Sequence, residues 1–336
     1  MKKFFEVFFK TAAFFAAWTI LLRVFGLSRT TAGRVFLWDP ALTEVWSQLL
    51  AFFSLTVVSF LSVRIVERGR LRTRIATKAP RDALAGTVVG CLWIGGTLGL
   101  LVITGSIEFG ESQSIGEPVY WVLSVLINVI VREYLIHGYV FTLLRNRYDD
   151  LIAVAVTSVI FAALKAGAVE SGTVSILFAF ATGVLLSLLR IYTNGLLAPI
   201  IAHFIWNAVG CLVIGGVSLG DHYPSVWKET LSGIDIISGG ELKFEGSGLA
   251  LVTTVVLIDL VVILINDARE AKMKTASADG ADGSASGAQR AASGFAKIET
   301  PHMPPGSELS SARRDTFVSS GAEKFTGTID DGKERR

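Results

Sequence analysis

Charge is scarce in this chain of 336 residues: 18% are Asp, Glu, Lys or Arg, where a water-soluble protein carries about a quarter. Set beside 51% hydrophobic residues and a mean hydropathy of +0.55, that deficit excludes a soluble enzyme as the main reading. Cysteine is nearly absent. Cys91 and Cys211 both lie inside apolar runs, so the disulfide framework of a small secreted scaffold has nothing to build on. An excess of one charge sign is missing too. With 31 basic and 29 acidic residues the formal charge is +2, no footprint for a nucleic-acid partner. Internal repeats that would build the inverted halves of a transporter are also lacking.

What the chain does have is long apolar runs. A helix crosses the hydrocarbon core in about 20 mostly apolar residues. That rule gives eight candidate spans, 4–25, 42–63, 83–105, 118–144, 150–167, 173–192, 196–216 and 247–266, the fifth being short. None alternates at the period of two that an outer-membrane barrel needs. The expected fold is therefore an all-α polytopic membrane helix bundle of about eight transmembrane helices. Met1, Lys2 and Lys3 before an apolar run resemble a signal peptide, but Lys10 interrupts the run and no small-residue cleavage site follows Leu22. A retained first helix is expected.

Orientation follows from the basic residues of the short loops. Arg64, Arg68, Arg70, Arg72, Arg74, Lys78 and Arg81 separate the second and third spans, while loop 106–117 has no Lys or Arg. Arg145 and Arg147 follow the fourth span, Arg190 ends the sixth, and Arg269, Lys272 and Lys274 follow the eighth. Both termini are thereby placed in the cytoplasm of a multi-pass cell-membrane protein. After the helical domain 1–266 comes a segment 267–336, rich in Ser, Gly, Ala and Asp, with too little apolar surface for a core. It reads as a disordered cytoplasmic tail, in which Phe295, Phe317 and Phe325 are candidate docking residues. On the other side the loop 217–246 carries Tyr223 and Trp227, expected at the membrane interface. Two small-residue patterns in the third span, Gly86-x-x-x-Gly90 and Gly95-x-x-x-Gly99, predict tight helix contacts within the molecule.

Charged and polar groups inside a span are costly, and are mostly paired or functional. The fourth span holds Arg132, Glu133 and His137, the fifth Lys165, the seventh His203 and Asn207. Lys10, Glu44 and Asp259 stand alone. Glu133 and His137, Phe161 and Lys165, and His203 and Asn207 are each four residues apart, so each pair shares a helix face. Three nearby helices thus direct polar groups toward what reads as one shared site. At 1.5 Å per residue, however, Lys165 lies about 22 Å from the inner end of its span and His203 about 10 Å from the inner end of its own.

These motifs resemble the CPBP family, the CAAX-protease and bacteriocin-processing (Abi) intramembrane endopeptidases. The family carries Glu-Glu-x-x-x-Arg, then Phe-x-x-x-His, then His-x-x-x-Asn. Here Arg132-Glu133-x-x-x-His137 stands at the first motif, Phe161-x-x-x-Lys165 at the second and His203-x-x-x-Asn207 at the third. The resemblance covers about 118–266, including the approach to the third motif at 178–209 and the segment GGELKFEGSGLALV at 239–252. It implies an intramembrane endopeptidase acting on prenylated-protein or peptide-type substrates that enter from the membrane. Glu133, His203 and Asn207 keep the family identities. Arg132 stands where the family has the glutamate taken as the base for water, His137 where it has arginine, and Lys165 where it has a histidine that holds a ligand or positions water.

The substitutions bear directly on the chemistry. Peptide hydrolysis needs a base for water and donors for the oxyanion, and a metal such as zinc needs neutral imidazoles and carboxylates. Two cations about 4 Å from a metal at an effective dielectric of ~20 would each oppose it by about 4 kcal/mol. A salt bridge from Lys165 or Arg132 to Glu133 would make that carboxylate a weaker base. This points to weakened or lost catalysis, and to a pseudoprotease that still binds a membrane peptide or protein, for example in bacteriocin self-immunity. Two active alternatives stay open. Glu133, His137 and His203 would hold a divalent metal with Asn207 as oxyanion donor, or a deprotonated Lys165 would serve as base.

Overall fold

Apolar runs as long as a bilayer is thick can satisfy their backbone groups in lipid only as helices or closed barrels, and this chain is helical. The structure is a computed structural model that describes residues 2–36, 39–165, 172–217 and 223–295. Among the described residues six helices are long and apolar enough to cross a membrane. They are α1 (Lys2–Phe36), α2 (Pro40–Leu61), α3 (Ala79–Ile103), α4 (Pro118–Glu133) with its continuation, α7 (Thr173–Thr193) and α10 (Gly248–Phe295). The continuation of α4 is a π-helical segment, Tyr134–Val140, followed by α5 (Phe141–Arg147). These six match six of the expected spans.

The other two expected spans, 150–167 and 196–216, form shorter helices. One is α6 (Asp150–Leu164), which the Asp149 side chain caps by accepting from the Ile152 N–H at 2.8 Å. It stops at Lys165, whose ψ of 107° leaves the helical region. The other is α8 (Leu197–Asn207), with Pro199 in its first turn where a missing N–H costs nothing, and it runs on as a π segment, Ala208–Val213, the third among the described residues after Ser62–Val66 and Tyr134–Val140. The helices leave many large apolar residues exposed, among them Phe4 at 61%, Phe9 at 63% and Val119 at 73%, as a lipid-facing surface requires. This is a multi-pass membrane protein.

Two features depart from helices alone. The loops 106–117 and 217–246 meet as a short antiparallel pair, β1 (Ile107–Ser112) and β2 (Trp227–Leu231), with Ile107 opposite Leu231 and Phe109 opposite Glu229. A four-residue helix α9 (Asp235–Ser238) and a 3₁₀ segment Gly240–Gly246 then lead into α10. That last helix continues to Phe295, past the expected start of the tail at 267, and residues 296–336, with Phe317 and Phe325, lie outside the described residues.

Close helix contacts set the position of α8. A Cβ on Gly86 would stand 2.5 Å from the Ala198 carbonyl oxygen, and one on Gly90 3.0 Å from Ala202 Cα. The first small-residue pattern therefore seats α3 directly on α8, one residue before His203. The second pattern does not do this: nothing lies within 4 Å of a Cβ on Gly95 or Gly99, and Gly96 instead meets Thr253 of α10. Trp93 of α3 stacks on Trp206 of α8 at 4.3 Å and donates its indole N–H to Thr254 Oγ1 at 2.9 Å, locking α3, α8 and α10 together. Gly183 brings α7 equally close to Ser158 of α6, with a Cβ there only 2.7 Å from Ser158 Cα.

Candidate functional site

Three sequence-predicted residues meet at the centre of the bundle. Glu133 ends α4, and its two carboxylate oxygens serve two histidines from different elements. His137 Nδ1 is 2.8 Å from Oε2, and His203 Nδ1 of α8 is 2.7 Å from Oε1. Glu133 and His137 are 0% exposed and His203 is 4% exposed. A carboxylate accepts, so both imidazoles donate through Nδ1–H, and burial makes each bond matter. One of the three π segments starts at the residue after Glu133 and another at the residue after Asn207. Such wide turns are rare and concentrate at functional sites. Asn207 lies one turn beyond His203 on the same face of α8 and is 5% exposed.

The expected partner of Glu133 goes elsewhere. Lys165 forms its ion pair with Glu245 of the 3₁₀ segment, and its ammonium lies 5.1 Å from the Phe178 ring centroid. The residue of α6 that reaches the histidines is Phe161, whose ring centroid is 6.1 Å from that of His137 and 5.7 Å from that of His203. Lys165 is one turn further along, about 6 Å at 1.5 Å per residue, and its carboxylate partner is Glu245. Arg132 does not neutralise it by contact either. It makes no hydrogen bond or ion pair among the described residues, and feels Glu245, Tyr223 and Glu133 at longer range.

Consecutive residues on an α-helix point about 100° apart, and here that angle separates two environments. Arg132 lines a cavity of about 280 Å³ together with Trp18, Gln48, Asn128, Phe161 and Lys165. Glu133, His137 and His203 do not line it. Phe161 belongs to both: it packs on the imidazoles and forms part of the cavity wall. The ring is thus a partition between a sealed acidic cluster and an accessible cationic cavity. From the cavity a string of polar groups continues along α2 and α4. Asn128 donates to Gln48 at 3.2 Å, Gln48 donates to Glu44 at 2.9 Å, and Tyr223, 2.6 Å from Ser124, donates to Glu44 at 3.4 Å. Burial first, then the Glu44 carboxylate, pushes the Tyr223 hydroxyl up from its ordinary range.

The metal set Glu133, His137 and His203 does not fit a metal. Its members are adjacent, yet the carboxylate separates the two imidazoles and takes the Nδ1 atom of each, leaving no common point that three lone pairs address. Among the described residues no group of three His, Cys, Asp or Glu is arranged to hold a metal ion. His137 Nε2 is the one buried imidazole atom of the cluster without a partner.

Two participants were not foreseen. Glu245 sits 80 residues from Lys165 in a loop without periodicity, is 6% exposed, and is held by its neighbour Phe244, which is fully buried and bonded through its N–H to the Gly216 carbonyl at 2.8 Å. Its only signal was its place in the segment 239–252. Arg190 was read as a loop charge at a span end. Instead it is 5% exposed, donates to Thr142 Oγ1 at 2.8 Å, lies over the Phe141 ring at 5.3 Å, and leaves Nε and Nη1 without partners. Of the charges that stood alone, Lys10 pairs with Glu6 at 2.9 Å and Glu67 at 2.8 Å, and Asp259 lies on an exposed flank of α10.

Residues 114–209 match the family model of the type II CAAX prenyl endopeptidase Rce1-like proteins. The match spans Arg132, Glu133, His137, Lys165, His203 and Asn207, and stops short of Glu245. It bears out the CAAX-protease resemblance read from the motifs. No curated protein and no solved structure matches the chain.

Proposed function

We propose that this CAAX-protease-like membrane protein is catalytically silent and uses the inherited cavity to bind a membrane-embedded partner, a peptide or protein carried to it within the bilayer. One observation carries the reading: the cavity beside the family motifs presents Arg132 and Lys165, while Glu133 and both histidines are sealed behind Phe161. A base for water must reach the water. The position that faces the cavity holds a guanidinium, which accepts no proton, and the remaining carboxylate is engaged by two imidazoles. Binding asks less of the site, because a cavity between helices with a few polar groups is a usual ligand site.

The same reading places eight crossings in the bilayer, with α6 and α8 as the short members, and both termini in the cytoplasm where the basic loops gather. It is tested by incubating the purified full-length protein, in phosphatidylcholine nanodiscs, with a prenylated CAAX-type peptide and following the products by mass spectrometry. The expected outcome is intact peptide. Cleavage that Glu133→Gln and His203→Ala both abolish would establish an active endopeptidase in its place.

A further inference from the structure

The cationic cavity does not stand alone. A second, largely apolar groove of about 630 Å³ lies in the seam between α1 and α6, lined among others by Phe4, Phe8, Phe15, Ile152, Ile160 and Leu164. Leu164 lines both spaces. The groove follows α1 from Phe4 to Phe15, and the cavity takes over from Trp18 to Leu22, so the two lie end to end along one seam. Phe4 and Phe8 at its outer reach are 61% and 55% exposed, which leaves it open to acyl chains. An apolar channel that ends in a cation describes an amphiphile in negative.

The polar end has surplus donors. Arg132 makes no hydrogen bond or ion pair among the described residues, and the Trp18 indole N–H is buried without a partner. Both line the cavity. A buried indole N–H usually finds an acceptor, and a guanidinium offers the two parallel N–H groups that a carboxylate or phosphate accepts. Charge counting chooses between those two. Lys165 is paired with Glu245, so the wall carries one uncompensated positive charge. A carboxylate, with a single negative charge, balances it; a phosphate monoester brings about −1.5 to −2. One groove admits one chain.

We infer that the joined groove and cavity bind a long-chain carboxylate, the acyl chain along the α1–α6 seam and the carboxylate on Arg132 and the Trp18 indole. This rests on the cavity being a binding site, and it names the ligand chemistry that such a site takes. A site of this kind was legible only from the coordinates, because α1 lies outside the motif-bearing segment.

The experiment uses the full-length protein in phosphatidylcholine nanodiscs with dibromostearate as the probe, since bromine quenches indole fluorescence on contact. Saturable quenching is expected, with its Trp18 share lost in Trp18→Phe. Stearate should compete, while methyl stearate, with the same chain and no charge, should compete about tenfold to a hundredfold less well, the worth of a hydrogen bond to a charged group. Arg132→Gln should weaken binding by a similar factor and Arg132→Lys should largely restore it. Equal competition by stearate and its methyl ester on the unmodified protein would overturn the proposal without any variant having to fold. So would tighter binding of stearyl phosphate, which would contradict the single-charge count. The outcome is independent of peptide cleavage, so this inference and the silent reading fail separately.

Discussion

Arg132 and Glu133 are neighbours in sequence and strangers in environment. Glu133 is 0% exposed and spends both oxygens on His137 and His203. Arg132 looks about 100° away into a cavity with Lys165. The contrast teaches that a helix with charges at successive positions serves two compartments at once. The sealed half is a hydrogen-bond network, costly to leave incomplete. The open half faces space that tolerates change.

That contrast can be broken from the sealed side first. Glu133→Ala deprives two fully buried imidazoles of their acceptor and should cost about 3–5 kcal/mol, seen as the largest loss of apparent melting temperature by intrinsic fluorescence in nanodiscs. Phe161→Ala removes the partition and should cost about 3 kcal/mol, while admitting water to the histidines, which tryptic or hydrogen-exchange protection of the Tyr134–Val140 segment would report as faster exchange. Lys165→Met leaves Glu245 a buried carboxylate without its cation and should cost about 2–3 kcal/mol; adding Glu245→Leu should return much of it, a non-additivity that a double-mutant cycle measures. Gly86→Ala tests how α8 is seated and should cost about 1–3 kcal/mol through overpacking against Ala198, whereas Gly95→Ala, facing open space, should stay within about 0.5 kcal/mol. Smallest of all, Arg132→Gln should leave the stability within about 0.5 kcal/mol of the parent in the same melting assay, because the side chain holds nothing in place.

Much of this arrangement was legible from the chain. Spacing of four placed Glu133 beside His137 because both lie on one face of a helix, and the π segment that follows did not disturb the pair. The Gly86 and Gly90 pattern announced a close contact, although not that α8 was the partner. Depth counting set Lys165 and His203 at different levels, and it is Phe161, four residues before Lys165, whose ring packs on His137 and His203. What stayed hidden shares a physical cause: it is long-range and lies in aperiodic segments. Glu245 reaches Lys165 from a loop, Arg190 is buried because α5 and the π segment fold over it, and β1 pairs with β2 across more than a hundred residues. Hydropathy and period report which face a side chain takes, and say nothing of which distant segment covers it.

Thiol labelling reads the two compartments most directly. In a Cys91→Ser, Cys211→Ala background, single cysteines placed by Arg132→Cys and Glu133→Cys are exposed to N-ethylmaleimide in nanodiscs, with size-exclusion chromatography selecting folded protein. The account predicts rapid modification at position 132 and protection at position 133; equal rates at the two positions would contradict it.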